Sequence, residues 1–141
     1  MRPGIQTFLD EAGDAACYSL CIIKIAEREL GGEIQPLDAL TDGINRGFVY
    51  YNWEDKNDND NFFNNVPNEF LSLMAGGTWT VTKERADYRA KPGEHVVERW
   101  ERTTPKGSTN HFKLPDWDSL VDSQTVKFGR IVSTRVFRKV A

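Results

Sequence analysis

The stretch DAACYSLCIIKIAEREL, residues 14–30, is the longest apolar run of the chain and decides its architecture. Apolar side chains surround nearly all of its first two turns, whereas charged side chains crowd its end. This distribution predicts a helix from about Ala15 to Leu30 that is buried at its start and emerges at its end. Gly31 and Gly32 follow directly and predict a stop.

The chain changes its periodicity half-way along. A short helix is expected from about Leu37, and VPNEFLSLM (66–74) predicts another, with Pro67 at its start. From Gly76 onward the pattern has period two, and turn sequences separate the segments GTWTVTKE, HVVERWERT, STNHFKLP and RIVSTRVFRKV. Helices followed by an antiparallel sheet predict an α+β fold in one domain over residues 1–141.

Composition excludes several classes of protein. The chain of 141 residues is 39% hydrophobic and 28% charged, with a formal net charge of −3, which is typical of a soluble globular domain. The basic last strand alternates with Val and Phe, so we expect a solvated face and no nucleic-acid partner. The apolar run is too interrupted for a membrane span. The N-terminus lacks a signal-peptide pattern, so we expect a cytoplasmic protein as synthesised, with a phage or partner route for any release.

Metal and cofactor sites are not expected from the sequence. The two cysteines lie four residues apart in one predicted helix and are poorly aimed for a disulfide. Two cysteines with two separated histidines do not form a zinc pattern. Asp55, Asn57 and Asn59 match the first, third and fifth positions of a calcium-loop pattern. The match then fails, because Asp60 stands where the pattern requires glycine and Val66 where it requires glutamate. A solvated loop is the better interpretation, and we expect no metal or cofactor.

Cys17 raises the question of reactivity. Asp14 is a plausible N-cap, which would make Cys17 the N3 residue. Backbone N–H groups and the dipole of a helix N-terminus would then lower the thiol pKa from its usual value of about 8.5. Cys21 lies one turn further inside and is expected to pack in the core. The alternative is that Cys17 packs there too, as free cysteines often do.

A cysteine nucleophile needs a base and a group that orients the base. His95 opens a predicted strand after a Pro-Gly turn and fits an exposed strand end. His111 begins HFKLPDWDSL, which leads within a few positions to Asp116 and Asp118. A histidine and a carboxylate at the starts of adjacent strands can be neighbours. The chain order of Cys, His and Asp matches that of papain-like cysteine peptidases.

Several segments strengthen that interpretation. ACYSLCIIKIAERELGG, VPNEFLSLMAGGTWTVTKE, VVERWER, NHFKLPDWDSLVDSQTV and GRIVSTRVFRK resemble a family of small phage and bacterial proteins, spirochaetes included. That family looks like a divergent branch of the papain-like peptidases, related to the C39-type and NlpC/P60 groups. The resemblance covers roughly the whole chain. It implies a papain-like fold in which a buried N-terminal helix bearing the cysteine packs on a C-terminal antiparallel sheet.

The resemblance also implies a site. Cys17 matches the nucleophile, His111 the general base and Asp118 the orienting carboxylate, with Asp116 as the alternative third member. The implied activity is a thiol peptidase or amidase acting on a peptide or amide substrate, with peptidoglycan peptides suggested by the phage or bacterial context. Many papain-like enzymes carry an oxyanion-hole glutamine about six residues before the cysteine. Here the nearest glutamine is Gln6, too far upstream.

Two alternatives stay open. The first is a catalytically inactive papain-like binding or accessory module, in which the polar loop 54–65 and the aromatic residues Tyr50, Tyr51 and Trp53 form the binding surface. The second is acyl transfer or deamidation by the same triad. The missing glutamine favours the first alternative, whereas the second shares every residue with the hydrolase hypothesis.

Overall fold

A computed structural model describes residues 4–52, 54 and 62–141 of the chain. Its helices and antiparallel sheets confirm the predicted α+β class. The helices are α1 (Ile5–Ala15), α2 (Cys17–Leu30), α3 (Pro36–Asn45), α4 (Pro67–Ala75) and α5 (Gln124–Phe128). The strands are β1 (Val49–Tyr51), β2 (Phe62–Asn64), β3 (Trp79–Glu84), β4 (His95–Thr104), β5 (Gly107–Lys113) and β6 (Arg130–Lys139).

The main sheet contains the four strands of the second half of the chain. Their spatial order is β3-β6-β4-β5, and every neighbouring pair is antiparallel. β4 and β5 form a hairpin in which Trp100 lies opposite His111 and Arg99 lies opposite Phe112. β5 is the last strand of this order, so the backbone groups on one of its sides are not used by the sheet.

Helix α2 supplies the centre of the core. Cys21, Ile22, Ile25 and Ala26 are fully buried and belong to one cluster with the sheet residues Val97 and Phe137. The helix ends at Gly31, whose φ of 68° is left-handed and therefore favours glycine. Its C-terminal half carries the charged side chains, as the sequence predicts, so the buried end is the one that bears Cys17.

The start of this helix differs from the prediction. Residues 5–15 form α1, Ala16 leaves helical geometry with φ −92° and ψ 20°, and α2 begins at Cys17. Asp14 is therefore part of α1, and Ala16 occupies the N-cap position of α2 without a side-chain cap. Cys17 is the N1 residue rather than N3. From the sequence, the start of this helix was expected at about Ala15, two residues early, and α1 was not predicted.

The smaller two-stranded sheet packs against helices α1 and α3. β1 and β2 pair with Val49 opposite Asn64 and Tyr51 opposite Phe62. Phe8 of α1 contacts both aromatic rings of that second pair, with ring centroids 5.1 and 5.8 Å away. Tyr50 and Phe63 remain exposed on the outer face. Trp53 and the calcium-like positions Asp55, Asn57, Asn59 and Asp60 lie outside the described residues.

Candidate active site

The sulfur of Cys17 lies at the start of α2, against the free side of β5. The backbone N–H of Phe112 donates a hydrogen bond to Cys17 Sγ over 3.4 Å. The side chain is buried, and burial raises the pKa of the Cys17 thiol above its ordinary value, although backbone N–H groups of Phe112, Tyr18 and Cys17 itself act to lower it. The predicted lowering of this pKa is therefore wrong, because the loss of solvation outweighs the stabilisation from the helix end.

Cys21 lies one turn further along the helix. It is completely buried, and this burial raises the pKa of its thiol well above the ordinary value. A thiol without solvent access and with a raised pKa is a poor nucleophile. The structure thus assigns Cys21 to the core, as the sequence analysis expects.

His111 and Asp118 come together beneath the loop that follows β5. His111 Nε2 lies 2.5 Å from Asp118 Oδ1, and the two side chains are only 4% and 18% exposed. The same carboxylate oxygen accepts the backbone N–H of Leu120 at 3.0 Å. The bridge between Leu114 and Trp117 closes the loop, with Leu114 N–H donating to the Trp117 carbonyl. Asp118 is therefore held on the imidazole by backbone as well as by side-chain contacts.

The Cys17 side chain contacts the backbone of β5, the strand that carries His111. Successive side chains of a strand point to opposite faces, and Phe112 points to the face covered by α2, where its ring stacks on Tyr18 at 4.5 Å. His111 lies on the other face, opposite Trp100. Among the hydrogen bonds between described residues, Cys17 Sγ has the Phe112 N–H as its partner, and none joins it to His111. The Cys17 sulfur is therefore held by the backbone of Phe112, and the imidazole belongs to His111, the preceding residue of β5.

The other candidates from the sequence lie elsewhere. Asp116 is 69% exposed in its side chain and pairs with Arg28 of α2 at 3.1 Å. His95 starts β4, and its Nε2 lies 2.8 Å from Glu29 Oε2. Neither residue contacts Cys17 or His111 in the described hydrogen bonds. The geometry thus favours Asp118 over Asp116 as the partner of the imidazole.

A cavity of about 360 Å³ opens beside Cys17. Its walls combine aromatic side chains with amide groups and one guanidinium, and it lies between the start of α2, β2 and the β4–β5 hairpin. The residues that line it are Ala15, Ala16, Cys17, Tyr18, Ser19, Phe62, Phe63, Asn64, Asn65, Arg99, Asn110 and Phe112. His111 and Asp118 lie outside this lining.

Asn64 is a polar residue of this cavity that the sequence analysis did not single out. Its Nδ2 donates to Ser19 Oγ at 3.2 Å, whereas its Oδ1 is buried without a partner among the described residues. Half a turn of the carboxamide would let Oδ1 accept from the Ser19 hydroxyl and would place the N–H donors in the unpartnered position. No sequence signal marks it, because β2 is only three residues long and follows a long polar segment.

Arg99 and Asn110 were missed for a different reason. Their positions in β4 and β5 read as the ordinary polar side of two strands, and only the hairpin register places them together beside the helix end. Arg99 Nη2 donates to Asn110 Oδ1 at 2.9 Å.

Comparisons of the chain with protein families, with curated proteins and with solved structures found no match. Within residues 4–52, 54 and 62–141, no group of three or more His, Cys, Asp or Glu side chains could hold a metal ion. None of the helices in the described part of the chain is both long enough and apolar enough to cross a membrane.

Proposed function

We propose that the protein is a thiol hydrolase, a peptidase or amidase, in which Cys17 is the nucleophile, His111 the general base and Asp118 the residue that orients it. The observation that carries this proposal is the buried His111–Asp118 pair at 2.5 Å, one strand position from the backbone group that holds the Cys17 sulfur. A buried imidazole with an anchored carboxylate on one nitrogen is the arrangement that a nucleophilic cysteine requires of its base.

The chemistry follows from which atoms are free. Asp118 occupies Nε2 of His111, so Nδ1 is the nitrogen that accepts the Cys17 proton as the sulfur attacks the amide carbonyl carbon. The imidazolium then gives that proton to the amine, the C–N bond breaks and a thioester remains. Water attacks the thioester, which releases the acid and restores the thiol. Because burial raises the thiol pKa, the proton transfer accompanies the attack, and the resting state is a thiol rather than a thiolate.

The oxyanion of the tetrahedral intermediate needs two donors. The backbone N–H of Cys17 is the N1 donor of α2 and belongs to the groups that a helix leaves unpaired at its start. We assign the second donor to the Asn64 side chain, which lines the cavity on the same side as the sulfur. This assignment fills the role of the glutamine that the sequence lacks.

The substrate is a peptide or amide that enters the cavity beside Cys17. Its aromatic walls, Tyr18, Phe62, Phe63 and Phe112, suit an apolar portion of the ligand next to the scissile bond. The resemblance to phage and bacterial proteins suggests peptidoglycan peptides as the source. The proposal includes acyl transfer by the same residues, because acyl transfer and hydrolysis proceed through the same thioester.

One observation favours the second candidate, a binding module without catalysis. The Phe112 N–H holds the Cys17 sulfur while burial raises the thiol pKa, and a purely structural cysteine would have both features. In that case the cavity binds its ligand and His111 only stabilises the β5 loop.

The two candidates differ in how Cys17 responds to His111. In a Cys21→Ala background, the hydrolase predicts that iodoacetamide alkylates Cys17 near neutral pH and that His111→Ala slows this reaction about tenfold or more, because general-base assistance contributes about 10²–10⁴-fold in enzymes. Asp118→Asn should slow it too, whereas Asp116→Asn is the matched control and should not. Peptide and peptidoglycan amide hydrolysis is then measured with the same variants, and Cys17→Ala should abolish it.

Alkylation that begins only at strongly alkaline pH and is unchanged in His111→Ala would contradict the hydrolase and support the binding module. Folding of each variant is checked by far-ultraviolet circular dichroism, since His111 and Asp118 are buried enough to affect stability.

A further inference from the structure

Arg99 is the cation in the wall of the cavity beside Cys17. Its position in β4 lies directly opposite Phe112 in the hairpin register, on the face that α2 covers. Asn110 Oδ1 accepts one guanidinium N–H at 2.9 Å. A carboxamide is neutral, so this bond orients the guanidinium without neutralising its charge, and the remaining N–H groups are left for another acceptor.

Among the described residues, no acidic side chain lines the cavity to balance this charge. The lining described above contains no Asp or Glu, although the whole chain has a net charge of −3. Among the ion pairs of the described residues, carboxylates engage other arginines, such as Arg28 and Arg138, but not Arg99. An arginine fork that no carboxylate of residues 4–52, 54 and 62–141 engages, at the wall of a partly apolar cavity, is suited to bidentate recognition of an anionic ligand group.

A second arginine adds to the positive potential. Arg135 of β6 lies 5.8 Å from the ring centroid of Phe112, and its guanidinium donates to Ser133 Oγ and to the Thr134 carbonyl rather than to a carboxylate. Burial and the nearby Arg99 charge act to lower the pKa of Arg135. Two like charges near one face of the hairpin make a bound anion more favourable there.

We propose that Arg99 is a specificity-determining residue, and that the ligand of this site carries a carboxylate close to the bond that Cys17 attacks. The substrate class is then an acidic peptide or amide, whose carboxylate pairs with Arg99 while its apolar part contacts the aromatic walls. This inference rests on the proposed function for the identity of the attacked bond. The binding of a carboxylate beside Cys17 is testable without it.

The test uses two alkylating reagents that differ only in the group that Arg99 would recognise. Iodoacetate carries a carboxylate where iodoacetamide carries a carboxamide, and the thiol sulfur displaces iodide from the same methylene carbon in both. The rate ratio of iodoacetate to iodoacetamide is measured at Cys17 in a Cys21→Ala background and, for reference, with N-acetylcysteine. We expect the ratio at Cys17 to exceed the reference about three- to tenfold, which is typical of one partly exposed carboxylate–guanidinium pair.

Arg99→Gln should bring that ratio down to the N-acetylcysteine value. Arg102→Gln is the matched control, because it removes the same charge from the same strand at a residue that does not line the cavity, and it should leave the ratio high. A ratio that does not respond to Arg99→Gln would overturn the carboxylate site even if hydrolysis were demonstrated.

The two proposals fail in different ways. If His111→Ala changes neither alkylation rate while Arg99→Gln still lowers the ratio, the hydrolase is wrong and the carboxylate site remains. If Cys17 reacts with neither reagent in the folded protein, both proposals are overturned, because a ligand of that size does not reach the sulfur.

Discussion

At the scale of single residues, the site is governed by the competition between desolvation and hydrogen bonding at one sulfur. Three backbone N–H groups act to lower the pKa of the Cys17 thiol, and burial raises it more. A helix N-terminus alone is therefore not sufficient to produce a thiolate. For the proposed hydrolase, the base therefore matters more than the helix end, because the thiol proton must be removed during the reaction.

Asn64 gives the first prediction at this scale. As the proposed second oxyanion donor, Asn64 would contribute mainly when negative charge develops on the carbonyl oxygen, so Asn64→Ala should lower kcat about 10²-fold and change KM little. Asn65→Ala is the matched control, because Asn65 lines the same cavity and is exposed. The measurement is steady-state hydrolysis of the substrate identified with the Cys17 variants. Equal losses in both variants would mean that Asn64 has no special role.

The sequence indicates Cys17, His111 and Asp118 as candidate site residues, but it does not indicate which residues line the cavity. Cysteine and histidine are rare in this chain, so each one attracts attention. Asn64 and Arg99 belong to residue types that are common on any surface, and only the pairing of strands brings them beside the sulfur. The hydrogen bond from the Phe112 N–H to the Cys17 sulfur could not be derived either, since the two residues are 95 positions apart in the chain.

At the scale of elements, the hydrophobic period of a segment and its length explain which parts of the fold could be predicted. The four strands of the main sheet were predicted closely, because β-branched residues, alternation and turns that contain Pro and Gly agree there. Helix α1 was not predicted, and the start of α2 was expected at about Ala15 rather than at Cys17, because hydrophobic periodicity does not mark Ala16. Helix α5 was not predicted, because at five residues it is too short to show a helical period.

Two glycines in helices provide a matched test of packing at this scale. An alanine Cβ at Gly43 of α3 would lie 2.8 Å from Phe70 Cε1 and 2.9 Å from Val49 Cγ2, whereas at Gly13 of α1 nothing lies within 4 Å. Alanine is better than glycine in a helix interior by about 1 kcal/mol. Phe70 and Val49 are buried in the core, so overpacking at Gly43 should cost about 1–3 kcal/mol.

Gly13→Ala is therefore expected to raise the free energy of unfolding and Gly43→Ala to lower it, despite the same change in helix propensity. Urea denaturation of both variants measures this difference. If both substitutions stabilised the protein, the contact between α3, α4 and β1 would be looser than the structure describes.

At the scale of the whole molecule, the side-chain contacts that join distant segments could not be predicted from the sequence. The connection between β3 and β4 is tied to β6 by Glu94, whose Oε2 accepts from Arg138 Nε at 2.6 Å and whose Oε1 accepts from Tyr88 Oη at 2.6 Å. These residues look like ordinary surface charges in the sequence. Antiparallel pairing of β3 and β4 with β6 brings the three groups together at one end of the sheet.

This network makes the stability of the molecule depend on pH. The hydrogen bonds from Tyr88 and Lys91 N–H, together with Arg138, lower the pKa of Glu94 to about 2. An unfolded chain binds the proton near its usual pKa of about 4.3. Since the folded-state pKa is the lower one, the stabilising contribution of Glu94 is complete above that value and is lost as the pH falls toward 2.

Glu94→Gln should therefore lower the urea midpoint at pH 7, and the difference from the unsubstituted protein should shrink as the pH falls from about 5 to about 2. Glu33→Gln removes the same charge from an exposed residue outside the network and serves as the control, with little effect at either pH. A midpoint difference for Glu94→Gln that stays constant over this range would show that its carboxylate is not held in the folded state. The connection between β3 and β4 would then be joined to β6 by the strand pairing alone.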